Sequence, residues 1–516
     1  MTFEYSLGVR VKNYFLIILL VVLFPAMSAS TGLKFDSGSQ FPFWSQLSQF
    51  EEQSLSKITA AKRGNTDALL RLYLIASGDI RQLKEFSKIK YRLNKFYREV
   101  GTDIANEKND WEKGYQLNRA MHNYFFREND QSSTLNYDAD QSQMSEIFRS
   151  AKYNCISSTM LYIYLAKKLH LDVQAVILPT HTFVQLNLGN GKKIEVETTS
   201  ANGFDWIHDR KFYKLQSSKW FSKRSLKPST YEDYKNRRIV SAVELAAVDM
   251  NTQHTFLQRM SRENKIRLLE MSVLIAPTES DNLLSLLYGY NNEFIRFNKQ
   301  NDFKSVKPLY NKTYQWMSAL WMNQPVDRVK ILKAFRWYFS QAAYTFMKTG
   351  ELSKAETIFL QHYDDVKKHT QDEPGIMNNY RAIFHGLLKK YLLKNQIKQA
   401  DRLISKVNVK GFENGRWQKI VMWYYGKQLE KKWQVKNWLA VINLYDHFKH
   451  QKLNIADSKQ FEQNVTAAFQ NQSLTFERKG NWRGAAEVLL QCIEKIPLAS
   501  NCMKNLERLR HQHQVF

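Results

Sequence analysis

The chain has 516 residues, more than one compact core accommodates, so two or three folded units are expected. A hydrophobic fraction of 43% with 13% aromatic residues supplies enough apolar surface for real cores and excludes a wholly disordered chain. The formal net charge of +26 favours anionic surfaces such as lipid head groups or acidic envelope polymers, but the basic residues are spread along the chain, and a solvated, soluble surface is the simpler reading.

In residues 1–30, Arg10 and Lys12 precede an apolar run from Tyr14 to Phe24, and Pro25-Ala26-Met27-Ser28-Ala29-Ser30 adds small residues of the kind signal peptidase accepts. The run is well short of the roughly 20 residues that span a bilayer. This segment is read as a cleaved secretory signal, making the protein periplasmic or secreted; an uncleaved membrane anchor is the alternative. Export permits disulfides. Of three cysteines, Cys492 and Cys502 lie close together and could bridge, which leaves Cys155 as the odd thiol: a partner in an intermolecular bond, a reactive nucleophile or a packed, inert hydrophobe.

Residues 31–130 read as a helical region. Apolar residues recur at three- and four-residue steps in Leu69, Leu72, Tyr73, Ala76 and in Ile89, Leu93, Phe96, Val100. Asn65-Thr66-Asp67 offers a helix start and Ser77-Gly78 a stop. His122, in a helical stretch, is read as a packed or surface residue rather than a ligand.

The periodicity changes in residues 131–240. A helical pattern from Ile156 to His170 precedes three strand-like runs, Val173 to Leu178, His181 to Leu188 and Lys193 to Thr199, with Gly189-Asn190-Gly191 as a hairpin turn between the last two. Cys155 stands where the helical pattern begins, and unpaired N–H groups and the helix dipole at such a start favour thiolate. His181 opens a strand and can exchange a proton with the thiol. Its orienting partner is Glu195 or Glu197. A two-residue turn would put both carboxylates on the apolar face, whereas a three-residue turn pairs Leu186 with Ile194 and Val184 with Val196. In that register Glu197 is the diagonal neighbour of His181 and Glu195 an exposed strand carboxylate, so Glu197 is expected to orient the ring. For an oxyanion, the Cys155 N–H or the amides of Asn154 or Gln141 could donate.

Asn154-Cys155, the helix, the strand ending before Pro179, the His181-Thr182-Phe183 strand and the Ile194-Glu195-Val196-Glu197-Thr198-Thr199 strand together resemble the transglutaminase-like superfamily. The resemblance implies an α+β, papain-like domain with Cys155 as nucleophile, His181 as general base and Glu197 as acid. It departs from the usual pattern in the Glu, in Asn154 before the nucleophile and in Phe183 where a Trp often follows the histidine. The implied chemistry is acyl transfer, either hydrolysis of an amide or transamidation; the alternative is a scaffold that has lost turnover.

From Arg210 to Arg238, basic residues such as Lys214, Lys219 and Arg224 alternate with Phe212, Tyr213, Trp220, Tyr231 and Tyr234. Such interleaving can stack bases. It also describes an amphipathic connector whose rings pack on a core, which is the expectation here, with no specific nucleic-acid partner.

Residues 241–516 again read as helices. Gly480-Asn481-Trp482-Arg483-Gly484-Ala485 with Leu489, Cys492 and Pro497 resembles the second half of a tetratricopeptide repeat, with weaker copies around Ala355, Ala400 and Val441. The steps between these four anchors are 45, 41 and 44 residues, longer than the usual repeat of about 34. An all-α solenoid of TPR-like hairpins that recruits a protein or peptide partner is expected. No HExxH, paired CxxC or phosphate-cradling glycine loop occurs, so neither metal nor cofactor is implied.

Overall fold

The computed structural model describes residues 41–127, 136–211, 213, 226–256, 260–323, 328–369, 373–407, 415–449 and 455–515. The signal-like segment and much of the basic, aromatic stretch, residues 212 and 214–225, lie outside them. The chain divides into two compact units, residues 1–299 with 308–335 and residues 300–307 with 336–516.

In the first unit, helix Thr66–Ala76 forms where the apolar spacing places it. Asn65 caps it, accepting a hydrogen bond from the Ala68 N–H at 2.8 Å. Ser77 closes it, and Gly78 follows with a φ of 78°. Leu69, Leu72, Tyr73 and Ala76 are all buried in one large core. Helices Asp110–Met121, Met144–Ser150 and Ala242–Phe256 bring Leu117, Ile147 and Leu245 into that same core.

Four antiparallel strands, β1 (Asp172–Leu178), β2 (His181–Asn187), β3 (Lys193–Val196) and β4 (Arg238–Val240), form a sheet in the order β3-β2-β1-β4. The β2–β3 register is the one expected: Val184 pairs with Val196 and Leu186 with Ile194, and the Leu188 N–H donates to the Lys192 carbonyl at 2.8 Å. Gly191, with a φ of 80°, supplies the left-handed residue that a three-residue turn requires.

Both faces of the sheet are covered, and alternation divides the side chains between them. Val173, Ala175, Val184, Leu186, Ile194 and Val196 join the helical core. Val176, Leu178 and Phe183 form a second, smaller core with Ile207 and Tyr234, against which Tyr213 and Tyr231 pack.

Three details differ from the sequence reading. β3 ends at Val196 instead of Thr199, because the Glu197 N–H turns away to the Gly203 carbonyl at 2.7 Å. β4 was not anticipated; three residues are too few to show a period. Glu195 is not an exposed carboxylate but only 6% accessible. The segment leading into β4 folds over that face of the sheet, where the Tyr234 hydroxyl donates to Glu195 Oε1 at 2.8 Å and the Arg237 guanidinium lies at 3.5 Å.

The second unit is helical among its described residues. Four helix pairs are joined by the same turn: Val329–Thr349 to Leu352–Lys368, Pro374–Leu393 to Ile397–Lys406, Gly415–Gln434 to Trp438–Lys449, and Ile455–Glu477 to Trp482–Lys495. Each turn has one left-handed residue two positions before the second helix: Gly350, Asn395, Lys436 or Gly480, with φ of 92°, 53°, 54° and 71°. The N–H of the next residue then bonds the carbonyl five positions back, as from Glu351 to Phe346 at 2.9 Å and from Asn481 to Phe476 at 3.0 Å. Ala355, Ala400, Val441 and Ala485 are fully buried in the second helices. Cys492 and Cys502 form a disulfide joining Trp482–Lys495 to Ser500–His513. No helix among the described residues is long and apolar enough to cross a membrane.

Candidate active site

Cys155 is the first residue of helix Cys155–Lys168, and Asn154 is its cap. Asn154 Oδ1 accepts the N–H groups of Ile156 at 3.0 Å and Ser157 at 3.1 Å, while Ser157 Oγ accepts the Asn154 N–H at 2.9 Å. The Asn154 amide nitrogen donates to the Ala139 carbonyl at 3.3 Å. Asn154 therefore builds the helix start, and one of its two amide N–H groups is spent on that carbonyl. The Gln141 amide is turned to the Gln143 side chain at 3.4 Å. The Cys155 N–H meets no acceptor among the described residues.

Cys155 is half-buried and is the chain's one free thiol. His181, at the start of β2, donates through Nε2 to Glu197 Oε2, which leaves Nδ1 as the ring nitrogen for the Cys155 side chain, to which His181 is also hydrogen-bonded. Glu197 is 2% accessible. Its other oxygen, Oε1, accepts the Thr199 N–H at 3.0 Å and the Thr199 hydroxyl at 2.6 Å, so the buried carboxylate is satisfied on both sides.

The electrostatics follow from this packing. Burial works against a charged imidazole, but the Glu197 carboxylate and the hydrogen bond with Cys155 outweigh it and push His181 up to about 10. Burial works against the Glu197 carboxylate too, yet His181 and the two Thr199 hydrogen bonds hold it below its ordinary value. The two shifts describe one ion pair.

A network of small polar groups fixes the helix against the strands. Thr198 Oγ1 lies 2.8 Å from Ser158 Oγ and 3.0 Å from Thr159 Oγ1, both on the helix that Cys155 begins and all fully buried. His122 is packed, as expected, and its Nε2 contacts the Thr198 carbonyl at 3.1 Å. Asn118 donates to the Ser200 carbonyl at 2.8 Å. Gly203 lies so close that a Cβ there would stand 2.2 Å from the Glu197 carbonyl oxygen.

The structure thus brings together Cys155, His181 and Glu197 and leaves Glu195 beside Tyr234 and Arg237. Sequence reasoning missed Thr199, Thr198 and Gly203. Thr199 had a local signal, a hydroxyl two residues after a carboxylate; the others are placed by contacts between segments distant in sequence. Among the described residues no cluster of His, Cys, Asp and Glu is arranged to hold a metal ion.

No curated protein and no solved structure matches the chain. A family model does match, over residues 87–243, and it is that of the transglutaminase-like superfamily. The stretch that carries Cys155 at a helix start, with His181 and Glu197 on an antiparallel hairpin, is a transglutaminase-like domain.

Proposed function

We propose that the transglutaminase-like domain is a cysteine-nucleophile acyl-transfer enzyme, and the observation that carries this is the hydrogen-bonded line from Cys155 through His181 to Glu197. The thiolate attacks an amide or ester carbonyl. A C–S bond forms, and as the tetrahedral adduct collapses His181 gives its proton to the departing amine or alcohol. Water or an amine then attacks the thioester, giving its proton to His181, and collapse breaks the C–S bond and restores the thiolate beside the imidazolium. Glu197 keeps Nε2 protonated, so that Nδ1 faces the sulfur, and stabilises the imidazolium.

The helical unit of residues 336–516 is the recruiting part. Four like turns and four buried anchors support the reading of divergent helical repeats, and stacked repeats of this kind offer extended surfaces to peptides and proteins. The Cys492–Cys502 disulfide suits an oxidising compartment, in keeping with the export signal read in residues 1–30.

The test is covalent labelling of the full chain. p-Nitrophenyl acetate should acylate Cys155, with the adduct located by mass spectrometry. His181→Ala should slow that acylation by about 10²-fold or more, the usual size of general acid–base catalysis. Equal labelling rates in the two proteins would remove the activated nucleophile and leave a binding role for the domain.

A further inference from the structure

The segment from Asn136 to Gln141 is stapled to the start of the nucleophile helix. Tyr137 bridges Tyr153, two residues before the nucleophile, in parallel fashion. The Asp138 N–H donates to the Tyr153 carbonyl at 2.8 Å, and the Tyr153 N–H donates to the Asn136 carbonyl at 3.3 Å. The Asn154 side chain holds the Ala139 carbonyl, and Ser157 Oγ holds the Gln141 carbonyl at 3.2 Å. The Tyr137 ring rests edge-on against Tyr153, with centroids 5.8 Å apart. Tyr137 remains 38% accessible, and its hydroxyl makes no hydrogen bond among the described residues.

The bridge to Tyr153 and the bonds from Asn154 and Ser157 set Tyr137 beside the start of the helix that Cys155 begins. Although the residue as a whole is exposed, packing about the hydroxyl and then the charges of Cys155 and Glu197 raise its pKa above the ordinary phenol value, so it remains a proton donor at neutral pH. The other side-chain candidates for an oxyanion donor, Asn154 and Gln141, each hold one amide N–H to another partner, the Ala139 carbonyl and the Gln143 side chain.

We propose that the Tyr137 hydroxyl and the Cys155 backbone N–H together hold the oxyanion that forms when the Cys155 thiolate adds to the substrate carbonyl. The inference rests on the acyl-transfer reading. As the C–S bond forms, the carbonyl π pair moves onto oxygen, and the two donors receive that charge. On collapse the pair returns and the bond to the leaving group breaks. A preorganised donor of this kind is worth more in a half-buried site than in water.

The experiment compares two reactions of Cys155 in the full chain, wild type and Tyr137→Phe, with a thermal melt to show that the variant is folded. Acylation by p-nitrophenyl acetate passes through an oxyanion; alkylation by iodoacetamide, a displacement at a saturated carbon, does not. Tyr137→Phe should slow acylation by about 10²-fold, the usual effect of losing one oxyanion donor, and leave alkylation unchanged within about twofold. Acylation at the wild-type rate in Tyr137→Phe overturns the inference while the acyl-transfer reading stands. An equal fall in both reactions also overturns it, because a displaced loop slows both. If wild-type Cys155 alkylates but is never acylated, the acyl-transfer reading fails and the inference with it.

Discussion

His181 carries a proton because its two partners, Glu197 and Cys155, both stabilise the cation, and they do so inside the protein, where burial alone would have kept the ring neutral. This has a consequence for stability. A histidine raised from 6.5 to about 10 stabilises the fold fully below pH 6.5, progressively less as pH rises through that window, and not at all above about 10. Glu197, held below its ordinary 4.5, stabilises above that pH and loses its contribution as pH falls through its lowered value. The urea midpoint of the wild type should therefore fall between pH 6.5 and 10 more steeply than that of His181→Ala. Parallel pH profiles for the two proteins would mean that the ion pair does not form. Cys155 and His181 were legible as candidates in the sequence because a thiol at a helix start and an imidazole at a strand start are local facts. Tyr137 was not, since it is placed by a backbone bridge to Tyr153 across the intervening helix Met144–Ser150.

At the scale of elements, the hairpin shows how far a local rule can reach. A period of two and a glycine-bounded turn determined the β2–β3 register, and that register chose Glu197 over Glu195 as the partner of His181. The same reasoning misjudged Glu195, because alternation says which face a side chain takes and not what covers that face. Beyond β3 the chain turns so tightly that Gly203 touches the Glu197 backbone. Gly203→Ala should push Glu197 off His181. The expected cost is about 1–3 kcal/mol, as for other overpacked sites, together with slower labelling of Cys155. A chemical-denaturation curve and an alkylation rate measure the two effects, and an unchanged alkylation rate would mean that the turn yields without moving the carboxylate.

Over the whole molecule, all three cysteines are accounted for: two in a disulfide near the end of the helical unit and one in the transglutaminase-like domain. Thiol titration of the unfolded, unreduced protein should count one free group. Replacing Cys492 and Cys502 by Ser should lower the stability of the helical unit by about 2–3 kcal/mol, the scale for closing a short loop. It should leave Cys155 labelling unchanged. Slower labelling in that variant would show that the bridge supports the site as well.

Several features follow from short-range patterns along the chain. These are the helix starts at Asn65 and Asn154, the turn at Gly191, the register that follows from it, and the four buried anchors of the helical unit. Each depends on residues within a few positions of one another, where propensity and periodicity act directly. The burial of Glu195, the fourth strand, the Thr198 network that locks helix to hairpin, and the bridge from Tyr137 to Tyr153 came instead from the folded arrangement. Those depend on which segment folds over which face, a choice made by packing across the whole unit and invisible to any local window.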